Sequence, residues 1–178
     1  MERDSRSSPP EAFARPGVDE DVEKAKNNAF RLLARRAYTC KEIRQKLRGR
    51  GTPGEVVNET MAILERLGLV DDREFARRWV RERMRLRPMG PRLLERDLRR
   101  RGVGEDLLQQ AVQEVLDETD LDAVAVELLR SRAGRYQGLE RNKAWSRMYG
   151  FLARRGFDPA AAREAVGTVW GEVEAGQG

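Results

Sequence analysis

Hydrophobic residues recur at spacings of three and four from Asp19 onward, and hardly any stretch alternates between apolar and polar positions. Such spacing places apolar side chains on one face of an α-helix, whereas a half-buried strand needs strict alternation. The pattern therefore predicts an all-α fold. The helices, placed to within about two to four residues, are expected over 20–36, 40–49, 53–67, 72–86, 91–101, 105–117, 119–132, 140–155 and 159–170.

Residues that cap or break helices mark the boundaries of these segments. Thr39 with Glu42 and Thr52 with Glu55 fit the capping box, in which two side chains bind free amides of the first turn. Asp158, followed by a proline, begins a helix in a similar way. Further signals of the same kind are Pro53 at a first helical position, Asp71 with Glu74, and the helix break at Gly90 and Pro91.

A short segment occurs three times, and each copy ends a helix on glycine. The copies are Leu47–Gly51, Leu98–Gly102 and Leu152–Gly156, and another apolar residue stands four positions before each leading leucine. Each copy has one predicted helix before it and one after it, which indicates a repeating unit of three helices. Chance recurrence in an arginine-rich chain is the alternative, but the matching order of helices argues against it.

The repeat divides the chain into five parts. We expect a disordered N-terminal tail, three three-helix repeats and a C-terminal tail over residues 1–18, 19–69, 70–118, 119–170 and 171–178. The first tail is predicted to be disordered because it is rich in serine and proline and has little apolar content. Units this small bury little surface alone and stack on their neighbours.

The composition excludes most catalytic chemistry. The chain has no histidine and one cysteine, Cys40, so it cannot form a Ser-His-Asp or Cys-His site, a histidine metal site or an intrachain disulfide. It also lacks the Gly-x-x-x-x-Gly-Lys-Ser/Thr phosphate loop. We therefore expect a non-enzymatic protein without cofactor or metal. No apolar run approaches the roughly 20 residues of a membrane span, and the N-terminus lacks an apolar signal core, which predicts a cytoplasmic protein.

Charge is unevenly distributed along the chain. Residues 73–101 contain 12 basic and 4 acidic side chains, residues 102–129 contain 8 acidic and no basic ones, and residues 130–155 contain 8 basic and 1 acidic. Arginine accounts for 30 of the 35 basic residues, and its planar group suits bidentate contacts with phosphates and carboxylates. Either the acidic block neutralises the basic block before it, or the basic segments bind a polyanion.

Two consecutive predicted helices carry arginines opposite their apolar residues. At about 100° per residue, Phe75 and Trp79 fall on one side of the fourth helix and its arginines other than Arg83 on the other, and the fifth helix is divided in the same way around Leu94 and Leu98. A solvated helix face is the alternative, but these faces show no compensating acidic residues. The candidate residues for binding nucleic acid or another polyanion are Arg77, Arg78, Arg81, Arg85, Arg92, Arg96, Arg99 and Arg100.

Other conspicuous residues are expected to be structural. Arg83 falls on the apolar side of its helix, where it would extend to solvent or pair with a carboxylate. The pair Asp71–Asp72 could hold a metal, but a helix start favours acids at that place. Trp79, Trp145 and Tyr149 could stack on nucleic-acid bases, although core packing is favoured because Trp79 lies on an apolar face.

A set of positions between about residues 22 and 168 matches the pattern of a known family, most specifically in the segment from Asp71 to Arg77. The matching positions are Leu33–Arg36, Thr39, Glu42, Ile43, Lys46, Leu47, Gly51, Gly68–Asp72, Phe75–Arg77, Trp79, Arg83, Gly90, Leu94, Leu98, Gly102 and Phe151–Phe157. At these positions the chain resembles the RecX family of regulatory proteins, which modulate the bacterial recombinase RecA.

The resemblance implies a monomer of three tandem three-helix repeats in an elongated, curved arrangement. It implies that the protein lodges in the groove of the RecA filament on single-stranded DNA, with weaker binding to duplex DNA. There it would limit the ATPase, strand-exchange and coprotease activities of RecA, and with them recombination and the SOS response. The alternative is a transcription regulator that reads DNA through one repeat as a helix-turn-helix, although no dimerisation element for paired half-sites is visible.

Overall fold

The structure, a computed structural model, describes residues 17–176. This part of the chain forms nine α-helices and one short 3₁₀ helix and contains no strand, which confirms the all-α prediction. The helices are α1 Val18–Leu33, α2 Cys40–Arg48, α3 Gly54–Arg66, α4 Asp72–Leu86, α5 Pro91–Arg101, α6 Glu105–Leu116, α7 Leu121–Arg130, α8 Arg141–Arg154 and α9 Pro159–Ala175. All but the last two residues of the predicted N-terminal tail lie outside the described residues.

The chain divides into two compact units. The described residues of the first unit are 17–36 and 43–69, and those of the second are 37–42 and 70–176. In the first unit α1 packs against α3. Its apolar residues there are fully buried, among them Ala29 on α1 and Val57 and Met61 on α3. The period of three and four that predicted these helices therefore marks their packed faces.

The second unit contains two hydrophobic cores. In one, α4 and α5 both pack on α6 around Val80, Leu98 and Leu108. In the other, α7 and α8 both pack on α9 around Leu129 and Met148. Each group of three helices thus buries an apolar face that no single helix could cover alone.

The repeated segment forms the same turn in all three copies. Gly51, Gly102 and Gly156 have φ angles of 81°, 87° and 81°, a left-handed conformation that glycine adopts without steric penalty. The amide of the residue after each glycine donates to the carbonyl of the leading leucine at 3.2 Å. This is the bond that closes a Schellman motif, so the sequence repeat corresponds to a repeated helix end.

Several local expectations are confirmed at the helix starts. The Thr39 hydroxyl accepts from the amide of Glu42 at 3.2 Å, and the Glu42 carboxylate accepts from the amide of Thr39 at 3.4 Å. Asp71 caps α4 and Asp158 caps α9 through their side chains. The Asp71 carboxylate accepts from two amides, at 2.8 and 3.2 Å.

Other local expectations are wrong. Thr52 makes no side-chain cap, because α3 begins at Gly54 after Pro53 occupies the cap position. Helix α9 continues to Ala175 instead of ending near 170, since Val173 extends its buried face. The predicted C-terminal tail therefore contributes its first residues to this helix. No sequence signal indicated the 3₁₀ helix Ala133–Arg135.

Candidate functional site

Helices α4 and α5 present two different faces, as the sequence predicts. Phe75 and Trp79 are buried in the core with α6, and Leu94 and Leu98 are fully buried on α5. The eight candidate arginines, here called the α4–α5 basic face, are exposed except for Arg77, which is half-buried.

Most of these arginines have carboxylate partners, which contradicts the expectation that no acidic residues compensate them. The ion pairs are Arg77–Glu114 at 2.8 Å, Arg78–Glu74 at 2.8 Å, Arg92–Asp158 at 3.2 Å, Arg96–Asp97 at 3.8 Å and Arg99–Glu105 at 2.6 Å. Glu105 and Glu114 lie on α6 in the acidic block. The partial neutralisation of one block by the other, one of the two alternatives that the charge distribution leaves open, is therefore real. The individual pairs of Arg77 with Glu114 and of Arg99 with Glu105 were missed because a wheel drawn for one helix omits its neighbours.

The carboxylates of the exposed pairs compete only weakly with an external anion for the arginines. Ion pairs between solvent-exposed side chains contribute little net stability, so a phosphate can replace a carboxylate at modest cost. The hydrogen bond between Arg99 and Glu105 lowers the pKa of the Glu105 carboxyl and raises that of the Arg99 guanidinium. Both groups consequently stay charged over a wide pH range.

Three candidate arginines have no carboxylate partner among residues 17–176. Arg81 and Arg85 are exposed on the outer side of α4, and Arg100 is exposed near the end of α5. An exposed arginine on a helix can bind an anion without first breaking an internal contact. These three side chains are therefore the part of the α4–α5 basic face that is most available to an external anion.

Two other arginines stabilise the fold, one of them as expected. The guanidinium of Arg83 lies over the Trp79 ring, 5.1 Å from its centroid, and Trp79 is itself buried, so both expected structural roles are confirmed. Arg101 donates to Glu42 at 2.9 Å and lies 5.9 Å from the ring centroid of Phe75. Such cation–π contacts strengthen when they are shielded from solvent.

The helix-start acids make the hydrogen bonds expected of caps. Asp71 binds amides at the start of α4, and Asp72 accepts from the amide of Cys40 at 2.7 Å. Trp145 and Tyr149 are half-buried and pack against the core around α9. Within residues 17–176, no three side chains of the metal-binding types lie together.

The second and third groups of helices meet through a close backbone contact, here called the α5–α8 junction. The Gly90 amide donates to the carbonyl of Arg155 at 2.8 Å. The Arg155 side chain donates to the carbonyl of Pro88, also at 2.8 Å. A side chain could not fit between the backbones, because a Cβ on Gly90 would lie 2.2 Å from the Gly156 oxygen.

Beside this junction lie two adjoining clefts of about 270 and 180 Å³, which share Leu93, Arg96 and Arg154. The smaller cleft is lined by five arginines and one acid, namely Arg83, Arg87, Arg96, Arg154, Arg155 and Asp97, together with apolar residues. Sequence reasoning assigned no role to Arg87, Arg154 or Arg155. The one signal that could have indicated Arg154 and Arg155 was the Arg-Arg-Gly end of the third repeat.

The crowding of positive charge is visible in the ionisation of Arg155. Burial, and then the neighbouring charges of Arg87 and Arg132, lower the pKa of its guanidinium. Arg132 lies over the Phe151 ring at 4.5 Å, and Arg155 lies over the same ring at 5.0 Å. The cleft is therefore cationic before any ligand is present.

The fold and the site define a helical-repeat protein of three three-helix domains with basic surfaces. No helix within the described residues has both the length and the apolar composition to cross a membrane. Family models for the first, second and third three-helix domains of RecX match residues 25–64, 71–112 and 118–166. The chain belongs to the RecX family of regulatory proteins.

Individual relatives match over most of the chain. The regulatory protein RecX of Amycolatopsis mediterranei (strain U-32) is 39% identical over 148 residues, which are 83% of this chain and 84% of the relative. The regulatory protein RecX of Chlorobium phaeobacteroides (strain BS1) is 33% identical and covers 86% of this chain and 98% of its own length. The crystal structure of RecX from Lactobacillus salivarius has a TM-score of 0.74 at 23% identity, covering 88% of this chain and 99% of that one. This last comparison shows a common fold.

Proposed function

We propose that this chain is a non-enzymatic regulator of RecA that binds the RecA filament on single-stranded DNA in the cytoplasm. In this proposal it limits the ATPase, strand-exchange and coprotease activities of RecA, and with them recombination and the SOS response. The observation that carries the proposal is membership of the RecX family across all three domains.

The α4–α5 basic face supports a polyanionic partner. Arg81, Arg85 and Arg100 are exposed and lack carboxylate partners in the described part of the chain. Neutralising phosphates releases counterions, so such a surface gains affinity for nucleic acid at low salt.

The activity is tested by measuring RecA ATP hydrolysis on a saturating excess of single-stranded DNA while this protein is titrated in. We expect suppression at less than one copy per RecA monomer, because one chain of three domains would contact several monomers or block further growth. We also expect suppression to weaken as salt rises. Unchanged turnover, combined with selection of one duplex sequence, would instead support the transcription-regulator alternative.

A charge-reversal variant tests which surface takes part. The triple variant Arg81→Glu, Arg85→Glu, Arg100→Glu changes the three arginines of this face for which residues 17–176 provide no carboxylate partner. We expect half-suppression of RecA ATP hydrolysis to require at least about tenfold more of this variant than of the unmodified chain. Each phosphate that is no longer neutralised removes part of a steep, salt-dependent contribution to binding.

A matched control changes exposed arginines elsewhere by the same charge. Its substitutions are Arg31→Glu, Arg66→Glu and Arg163→Glu, at positions on α1, α3 and α9. We expect this control to suppress RecA nearly as well as the unmodified chain. Equal weakening in both triples would show that net charge acts and that the α4–α5 basic face has no particular part in binding.

A further inference from the structure

The clefts at the α5–α8 junction differ from the rest of the basic surface because they are concave and shared by two domains. Arg87 follows α4, Arg96 lies on α5, and Arg154 ends α8. The smaller cleft has a volume of about 180 Å³, below the roughly 300 Å³ at which pockets for drug-sized ligands begin. Its size suits a single compact group.

The positive charge of the smaller cleft favours binding of an anion. Among the described residues that line the smaller cleft, Asp97 is the only carboxylate, and its contact with neighbouring Arg96 is long, at 3.8 Å. Four further guanidinium groups line the same space without a carboxylate at hydrogen-bonding distance among the described residues. Arg87 and Arg132 also lower the pKa of Arg155 by their charge, after the larger effect of burial. A bound anion would relieve this repulsion.

Part of the cleft is held in place before a ligand arrives. Arg155 is fixed by its hydrogen bond to the Pro88 carbonyl at 2.8 Å, and Arg83 is fixed over the Trp79 ring at 5.1 Å. The Arg83 Nε atom is buried and has no hydrogen-bond partner. Planar guanidinium groups match the geometry of phosphate oxygens and lose little freedom when already positioned. Arg87 and Arg154 are exposed and line the same cleft.

The adjoining larger cleft indicates where the anion comes from. It has a volume of about 270 Å³ and is lined by the half-buried ring of Tyr149 and the buried Phe157, as well as by Arg92 and Arg154. Cationic groups beside aromatic side chains are the combination that binds single-stranded nucleic acid, because unpaired bases contact aromatic surfaces while phosphates contact arginines. Free phosphate would use only the smaller cleft.

We propose that the junction clefts form a binding site for a backbone phosphate of single-stranded nucleic acid, with Arg87 and Arg154 as its principal exposed contacts. The inference rests on the proposed function in one respect: the single strand that this chain would meet is the DNA bound by RecA. Because the site joins the second and third domains, an occupied cleft also stabilises the α5–α8 junction. Duplex DNA fits less well, since its bases are not free to enter the larger cleft.

The test uses the full chain without RecA and a labelled oligo-dT as the probe. The double variant Arg87→Gln, Arg154→Gln removes two cleft charges, and the control Arg141→Gln, Arg147→Gln removes two exposed arginines of α8 that do not line either cleft. Arg155 is left unchanged because it is hydrogen-bonded within the junction. Melting followed by circular dichroism verifies that both variants fold.

We expect the cleft variant to bind oligo-dT at least about tenfold more weakly than the control at low salt. The slope of log affinity against log salt should fall by about 0.7 for each phosphate of the single strand that the variant no longer neutralises. Binding within twofold of the control, with an unchanged slope, would overturn the proposal.

Two further probes distinguish the sources of the anion. Inorganic phosphate that raises the melting temperature of the chain as much as oligo-dT does would indicate a free-phosphate site and overturn the assignment to nucleic acid. Binding of polyglutamate that depends on Arg87 and Arg154, while oligo-dT binding does not, would indicate an acidic protein partner and also overturn it. Because RecA is absent, this experiment can fail while suppression of RecA ATPase persists, so the two proposals fail separately.

Discussion

The α5–α8 junction can be tested with one methyl group, by changing Gly90 to alanine. Gly90 has φ −75° and ψ 165°, which any residue adopts, so the substitution introduces no backbone strain of its own. The new Cβ would lie 2.2 Å from the Gly156 oxygen and 2.4 Å from the Phe157 nitrogen. Both are backbone atoms that cannot turn aside as a flexible side chain would. The two domains must therefore move apart locally.

The cost of that movement follows from what the junction contains. Overpacking a tight contact destabilises by about 1–3 kcal/mol, and weakening the 2.8 Å hydrogen bond from the Gly90 amide to the Arg155 carbonyl adds about 0.5–1.5 kcal/mol. We expect a loss of roughly 2–4 kcal/mol in total. For a urea dependence of about 2 kcal/mol/M, this lowers the unfolding midpoint by roughly 1–2 M.

Gly104→Ala provides the matched control. Gly104 is also the cap residue of a helix, with φ −64° and ψ 151°, but nothing lies within 4 Å of its added Cβ. Both substitutions lose the same preference of a cap position for glycine over alanine, so their difference isolates the junction. Urea unfolding followed by far-ultraviolet circular dichroism gives both values. If the free energies of unfolding of the two variants agree within about 0.5 kcal/mol, well below the cost of overpacking, the close approach at Gly90 does not exist in solution.

Two other predictions concern hydrogen bonds within the second unit. Thr39→Val removes a buried hydroxyl that donates to the Arg101 carbonyl at 2.7 Å and caps α2. We expect the free energy of unfolding in urea to fall by roughly 2–4 kcal/mol, whereas Thr39→Ser, which keeps the hydroxyl, should stay close to the unmodified chain. Equal losses of stability in the two variants would contradict this prediction. The hydrogen bond from Arg130 lowers the pKa of the Glu172 carboxyl below its usual range, so the small stabilisation from this exposed pair is present at neutral pH and is lost as the pH falls through the lowered pKa. The difference in urea midpoint between the unmodified chain and Glu172→Gln should therefore be small at about pH 7 and shrink further in acid; a difference that stays unchanged in acid would refute it.

The fold could be predicted because its signals are local. Amphipathic spacing and caps lie within a few residues of the structure they specify, and α4 and α5 begin and end where the sequence places them. The three glycine turns form the same hydrogen bonds because the left-handed backbone favours glycine whatever surrounds it. The ninth helix is longer than predicted: Gly171, directly after the predicted end, weakens helix propensity, but burial of Val173 against its domain compensates for it.

The candidate site could be predicted only in part, because its charges meet across the fold. Arg77 and Glu114 are separated by 37 positions along the chain, yet their side chains lie 2.8 Å apart. A helical wheel shows which way an arginine points and is silent about the helix beside it. The junction clefts were missed for the same reason, since Arg87 and Arg154 become neighbours of one cleft only when two domains pack.

The glycine turns also explain how one short segment supplies both a structural contact and an exposed cation. The arginine immediately before the glycine is tied down in the second and third copies, because Arg101 donates to a carboxylate and Arg155 to a carbonyl of an earlier segment. The arginine one position earlier is exposed in both copies, as Arg100 and Arg154. Adjacent helical residues point about 100° apart, so when one of the pair contacts the preceding segment the other must face elsewhere. An Arg-Arg-Gly helix end therefore supplies both a structural contact and an exposed cation. Because the turn occurs in both repeats, each repeat has an exposed arginine at the same position.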